Sequence, residues 1–259
     1  MSKIKKYLWF LALAAGLSAE GQKELKSWNT AQLDLALTKK LDIRFSHLRA
    51  YNLSQQFIHE FNQSAIHVDY DLTKKFSLSA GVTLSPSLST AEGKNRVSLR
   101  ATHKVLLADA LSWSNSLQAE LHSAIETRYR ERMVFITRLG MKKRLNFLRI
   151  SPSVSWFLFY NIGGNPVQYY DAKTGDPVAK QAANGFHRGR LNFNLNSKIN
   201  RHLSLSVYYM MQREFNLFTD EFHRINVVNP NTGKVVRPFD NFSVLGLSFS
   251  YGINLYREN

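Results

Sequence analysis

The chain has 259 residues, enough for one large domain or two small ones, and its 34 Lys and Arg against 19 Asp and Glu leave it at +15. That surplus favours partners that carry phosphate, either nucleic acid or the head groups of anionic lipid. There is no cysteine, which excludes disulfides and thiolate zinc sites and leaves stability to packing and hydrogen bonds.

The first nineteen residues, MSKIKKYLWFLALAAGLSA, pass from Lys3, Lys5 and Lys6 through an apolar run, Tyr7 to Leu17, to the small residues Ser18 and Ala19. A basic start, a short apolar core and a small-residue end are the order of a secretory signal peptide, and the core is too short to span a membrane as a helix. The expected organisation is a signal peptide over residues 1–19 and a single β-barrel domain over residues 20–259. Export removes nucleic acid from the expected partners. Beyond the leader no apolar stretch approaches the roughly 18 residues of a transmembrane helix, so a closed barrel is the one membrane-spanning architecture still open.

From Thr30 onward the period is two. Ala31, Leu33, Leu35 and Leu37 alternate with Gln32 and Asp34, then Leu41, Ile43 and Phe45 with Asp42, Arg44 and Ser46, then Ile66, Val68, Tyr70 and Leu72 with His67, Asp69 and Asp71. Further strands are expected over 76–84, 96–105, 111–121, 129–141, 148–160, 189–199, 203–211 and 245–255. That makes eleven alternating segments with no convincing helix between them. The stretch RYRERMVFITRLGMKKRL from Arg128 is basic enough to suggest a nucleic-acid patch, yet at period two it becomes one strand followed by a basic turn.

The connections are of two kinds. LTKKLDIRF from Leu37, LTKKFSLSAG from Leu72 and INRHLSLSVYY from Ile199 are short basic turns into a new strand, whereas residues 161–185 and 215–240 are long and contain the turn signals DAKTGD and NPNTGK. Short turns on one side and long loops on the other are the habit of outer-membrane barrels. Several strands exceed ten residues, enough to cross an apolar band about 25 Å tall when tilted. Aromatics near strand ends, such as Trp28, Tyr51, Trp113 and Tyr160, suit interfacial girdles. Eleven segments conflict with the even strand number of bacterial barrels, so Gln22 to Asn29 is expected to supply a twelfth; ten strands is the alternative.

The L-x-K-K-[LF]-S-[LI]-S turns, the Trp near the start of the exported chain, the R-x-R-E-R strand and the closing strand Asn241 to Tyr256 together resemble the uncharacterised Bacteroidota outer-membrane β-barrel family, domain of unknown function 2490. The resemblance covers most of the chain after the leader. It implies the fold and a bacterial outer-membrane location, and carries no activity or catalytic residue with it.

Strand parity assembles the candidate site. Arg128, Arg130, Arg132 and Arg138 fall on one side of their strand, opposite Tyr129, Met133, Phe135, Leu139 and Met141. An arginine in the middle of a lipid-facing wall costs roughly 2–4 kcal/mol, so the arginine side is expected to face the lumen. A turn near Ile125 would set Glu120 opposite Arg130 and His122 opposite Arg128; a turn at Arg201 would set Glu214 opposite Arg188 and Gln212 opposite Arg190. With Glu126 these form an expected lumen charge ladder of cross-strand pairs. His122, Ser123 and Glu126 are the one cluster that suggests nucleophilic catalysis, although adjacent His and Ser point to opposite faces of a strand. The eight histidines show no metal-ligand spacing.

The expectation is thus an antiparallel up-and-down transmembrane barrel with a structural or accessory role in an envelope protein complex. It is not expected to be an enzyme or to hold a cofactor or metal. Its partners would be outer-membrane lipid and lipopolysaccharide, with other outer-membrane proteins engaged through loops 161–185 and 215–240, where Tyr169, Tyr170, Phe218, Phe222 and Val227 could dock. An anion-preferring pore is the leading alternative, since cations outnumber acids on the inner face, and a lipid-modifying enzyme is the third.

Overall fold

The structure, a computed structural model, describes residues 24–86, 93–123, 129–163, 167–181, 184–220, 223–236 and 238–256. The expected signal peptide, Glu126, Arg128 and Phe222 lie outside these residues.

Among the described residues eleven strands close into one barrel: β1 (Glu24–Ala36), β2 (Leu41–Asn52), β3 (Ile58–Asp71), β4 (Phe76–Ser85), β5 (Lys94–Ala108), β6 (Leu111–His122), β7 (Glu131–Met141), β8 (Ile150–Ile162), β11 (Gly185–Lys198), β12 (Leu203–Glu214) and β13 (Phe242–Asn254). A separate hairpin, β9 (Val167–Tyr170) and β10 (Pro177–Gln181), stands in the connection between β8 and β11. All neighbouring barrel strands are antiparallel except at the seam, where β1 pairs with β13 in parallel, Trp28 opposite Gly246.

Among the described residues the barrel has eleven strands where twelve were expected. The described part of the expected extra strand, residues 24–29, runs straight on into Thr30, because no turn residue interrupts the chain there; Glu24 to Ala36 is one continuous strand. An odd sheet closes only if its first and last strands run the same way. Parallel pairing is slightly weaker per residue than antiparallel, but closure leaves no strand edge without a partner.

The repeated basic turns share one hydrogen-bonding scheme. The Thr38 hydroxyl accepts from the Lys40 and Leu41 amides at 3.1 and 3.0 Å, Thr73 from Lys75 and Phe76 at 3.2 and 3.0 Å, and Asn200 from His202 and Leu203 at 2.8 and 2.7 Å. A short side-chain oxygen at the first turn position thus satisfies two amides that the ladder leaves free. The connection from β7 to β8, residues 142–149, is longer than the expected basic turn over 142–147. Leu148 and Arg149 take positive φ of 50° and 49°, and Arg144 donates to the carbonyls of Arg149 and Asn196 at 2.9 and 3.0 Å.

Large side chains inside the barrel need gaps opposite them, and glycine supplies two. A Cβ at Gly246 would collide with the Tyr208 ring, and one at Gly81 with the His67 imidazole. Around the first of these, Met210, Phe242 and Val244 form a buried cluster with Trp28 and Tyr208 packed against it. Inner-face residues of β12 and β13 therefore fill their side of the lumen.

Candidate functional site

Alternation along each strand sorts the side chains into two faces of opposite character. Leu99 and Val97, pointing out from β5, are 59% and 54% exposed, and Phe45, Ile66, Val82, Phe135, Trp156, Val207 and Phe249 are likewise exposed. Pointing inward, Glu120 and Arg132 are 5% and 7% exposed, and Gln212 and Glu214 are also buried.

The densest inner cluster surrounds Glu120. Arg132 grips its carboxylate with Nη2 at 2.6 Å and Nε at 2.8 Å, His122 Nε2 lies at 3.1 Å, and the Gln118 amide donates at 2.7 Å. Arg96 stands 3.9 Å away. A buried carboxylate with three hydrogen-bonding neighbours and a further cation nearby is compensated as such a charge must be. Arg132 also lies over the rings of Tyr129 and Phe159, each 5.1 Å from its guanidinium carbon.

Glu214 organises a second cluster. Arg188 approaches it at 2.6 Å, and the Asp240 amide donates to its other oxygen at 3.0 Å. Gln212 donates to the Asp240 carbonyl at 2.9 Å and accepts from Arg190 Nε at 2.8 Å. The register sets Arg188 opposite Glu214 and Arg190 opposite Gln212.

Nearer the short turns, Asp34 accepts from Arg44 at 2.9 Å, and Asp69 lies 3.6 Å from Arg44 and 3.7 Å from Arg100. The remaining inner arginine of β7, Arg138, donates to the Ser153 hydroxyl at 3.1 Å.

One expectation on β7 is corrected. Glu120 faces Arg132 and not Arg130, because β7 begins only at Glu131 and the hairpin register is shifted by two residues. Arg130 sits just before the strand, exposed, with its carbonyl accepting from the His122 amide at 2.8 Å. As their adjacency on a strand implies, His122 and Ser123 do not meet. The imidazole is held by Glu120 and set edge-on to Tyr129 at 4.9 Å, while the Ser123 hydroxyl accepts from the Asn95 amide at 3.3 Å.

Sequence reasoning missed a third cluster. Lys26 bridges Glu60 at 2.8 Å and Glu24 at 3.3 Å, and its ammonium lies 4.6 Å from the centre of the Phe242 ring. The signal was present in β1, where Glu24, Lys26, Gln32 and Asp34 share one phase. Glu60 could not be read by parity, because a bulge between Ala50 and Tyr51 shifts the register of β2 against β3.

The two long loops meet at the barrel mouth through matching turns. In the first, the Asp171 carboxylate accepts from the Lys173 and Thr174 amides at 2.7 and 3.0 Å, and Gly175 has φ 74°. In the second, Asn229 accepts from the Asn231 amide at 2.9 Å, and Gly233 has φ 67°. Only glycine adopts such a φ without strain. The Asn229 amide then donates to Asp171 at 2.6 Å, tip to tip. These bonds, with that from Asn229 the largest, hold the Asp171 carboxyl at about 2, below its ordinary 3.8. Around them Tyr170 is 64% exposed, and Phe218, at positive φ, 92% exposed. No group of three or more His, Asp or Glu among the described residues could hold a metal ion.

A closed, odd-stranded barrel with charges paired inside and apolar residues turned out is thus the class of protein defined here. The chain belongs to the family described as protein of unknown function (DUF2490), whose model matches residues 25–223. Among curated proteins none matches the chain.

Proposed function

We propose that the protein is an integral outer-membrane β-barrel with a structural or accessory role in an envelope complex. The observation that carries this reading is the inverted distribution of its side chains. A barrel surrounded by water buries its apolar residues, whereas this one turns Leu99, Phe135 and Trp156 outward and keeps Glu120 and Arg132 inside. Strands of 10 to 15 residues suit the thickness of a bilayer. Outward polar groups also find partners along the wall, as a group facing lipid must: His47 Nδ1 with Ser64 at 2.9 Å, and Trp113 Nε1 donating to Thr137 at 2.8 Å. The resemblance to Bacteroidota outer-membrane barrels supports the same location.

The accessory role rests on what fills and what crowns the barrel. Paired charges and the Met210–Phe242–Val244 cluster occupy inner-face space that a pore would keep wet, which counts against the anion channel. The exposed Tyr170 and Phe218 on the joined loops offer a surface for another envelope protein. Fractionation of native membranes, followed by mild-detergent purification and planar-bilayer recording, tests the reading. The expected result is an outer-membrane protein that co-purifies with a partner and passes no steady current. A soluble protein, or a sole band that conducts anions, overturns it.

A further inference from the structure

Inside the barrel, toward the long loops, lies a cavity of about 360 Å³, within the size range of small-ligand sites, roughly 300–1,000 Å³. Aromatic rings form part of its wall: Trp28 stands edge-on to Phe61 at 6.0 Å and tilted against Phe242 at 6.2 Å. Four cations line it, Lys26, Arg96, Arg188 and Arg190, against the carboxylates of Glu60 and Asp240.

The four are not equally engaged. Lys26 has Glu60 at 2.8 Å and Arg188 has Glu214 at 2.6 Å. Arg190, by contrast, has only a neutral partner, the Gln212 amide oxygen, and its two terminal nitrogens make no hydrogen bond to a described residue. Arg96 reaches Glu120 only through Nε at 3.9 Å, on a carboxylate already held by Arg132, His122 and Gln118. Two guanidinium groups therefore present free donors to one cavity. The Arg190 fork is held in place, stacked 5.6 Å from the Trp28 ring and 5.1 Å from that of Phe159. Like charges lining one cavity repel, and a planar carboxylate or a phosphate offsets that repulsion and matches the donor geometry.

We propose that this cavity binds a small organic anion, its carboxylate or phosphate held by Arg190 and Arg96 and its apolar body against Trp28, Phe61 and Phe242. Such a site is independent of whether the loops dock a partner. It is read in detergent micelles by calorimetric titration of the full-length protein with benzoate, phenyl phosphate and neutral benzyl alcohol. At least one anion should bind with a Kd below about 1 mM, with benzyl alcohol at least tenfold weaker; the order of benzoate and phenyl phosphate assigns the site to a carboxylate or a phosphate. Arg190→Gln and Arg96→Gln should each weaken binding at least tenfold, while Arg138→Gln, which does not line the cavity, should leave it unchanged. If Arg190→Gln does not fold, Arg96→Gln and Trp28→Leu serve in its place. No heat with either anion, equal binding of benzyl alcohol, or an equal loss in Arg138→Gln overturns the proposal.

Discussion

The side-chain amide of Asn229 donates a 2.6 Å hydrogen bond to the carboxylate of Asp171, locking together the tips of two loops 58 residues apart in the chain. Because each tip is also a tight turn with its own side-chain cap, breaking this bond should separate the loops without unfolding either turn. Asn229→Asp places a second carboxylate against the first and should push the tips apart. Amide hydrogen exchange should then quicken at residues 167–181 and 227–236 and stay slow in the barrel strands. Unchanged exchange in both loops would mean that the tips are held by something else.

The same bond makes the loops sensitive to acid. The Asp171 carboxyl titrates near 2 in the folded protein, below its ordinary 3.8. A depressed carboxyl contributes stability that is fully present above its unfolded value and is lost as the pH falls through the folded one. Loop association should therefore hold at pH 5 and weaken between about pH 4 and 2. A carbon-13 NMR titration of the Asp171 carboxyl should find its midpoint near 2 in the native sequence and closer to the ordinary value in Asn229→Ala. A native midpoint at or above the ordinary value would contradict the hydrogen bonding described.

Glu120 and Arg132 test the energetics of the inner face. Removing the acid alone, as in Glu120→Ala, strands Arg132 in a buried site and should cost about 3–5 kcal/mol of stability. Replacing both, as in Glu120→Leu with Arg132→Met, should recover much of that loss, because the desolvation of both charges disappears along with their attraction. Urea unfolding in lipid vesicles measures the difference. If the double variant is no more stable than Glu120→Ala, the cost comes from packing and not from the unpaired charge.

Much of this barrel is legible at period two, and the places where it is not have local causes. The oppositions of Arg188 with Glu214 and Arg190 with Gln212 follow from a short turn whose position the sequence marks, since Asn200 caps it. Sequence spacing places the partner of Glu120 two residues early because the connection ahead of Glu131 carries no comparable mark. Lys26 and Glu60 escaped notice for different reasons. The first strand reaches back six residues beyond Thr30, and a bulge disturbs the phase of β3. Nor does local pattern predict that the loop tips meet: DAKTGD and NPNTGK reveal two turns, but their contact is set by the barrel that brings them to one rim. The even-strand rule pointed to twelve strands, and the parallel seam is the exception that it does not contain.

The outer wall offers a sharper discrimination between a lipid and a water environment. Leu99 is 59% exposed in the middle of β5, and Leu99→Arg puts a cation there. In a bilayer the substitution should cost about 2–4 kcal/mol, most at the midplane, whereas on a wall facing water it should be close to neutral. Arg44→Leu, on the inner face beside Asp34, should be destabilising in either setting because it takes from that carboxylate its one close cation and leaves it only the neutral donors Gln32 and Ser250. Comparing unfolding of both variants in vesicles isolates the effect of the wall. A neutral Leu99→Arg would remove the principal support for the membrane reading.

Beside the parallel seam, the antiparallel pairing of β12 with β13 contains a close approach that only glycine allows. Gly246 pairs with Trp28 across the seam and lies under the Tyr208 ring of the neighbouring strand, where an added Cβ would collide with ring carbons. Tyr208 is flanked by the buried Met210–Phe242–Val244 cluster, so its ring has little freedom to yield. Gly246→Ala should therefore destabilise the barrel by about 1–3 kcal/mol, the usual cost of overpacking. Tyr208→Ala removes the obstacle and should cost about 3 kcal/mol or more through the cavity it leaves. Together the two should cost less than their sum, since the methyl group introduced at position 246 enters the space the ring vacates. A double-mutant cycle by urea unfolding measures that coupling; strictly additive costs would show that the ring and the glycine do not constrain one another.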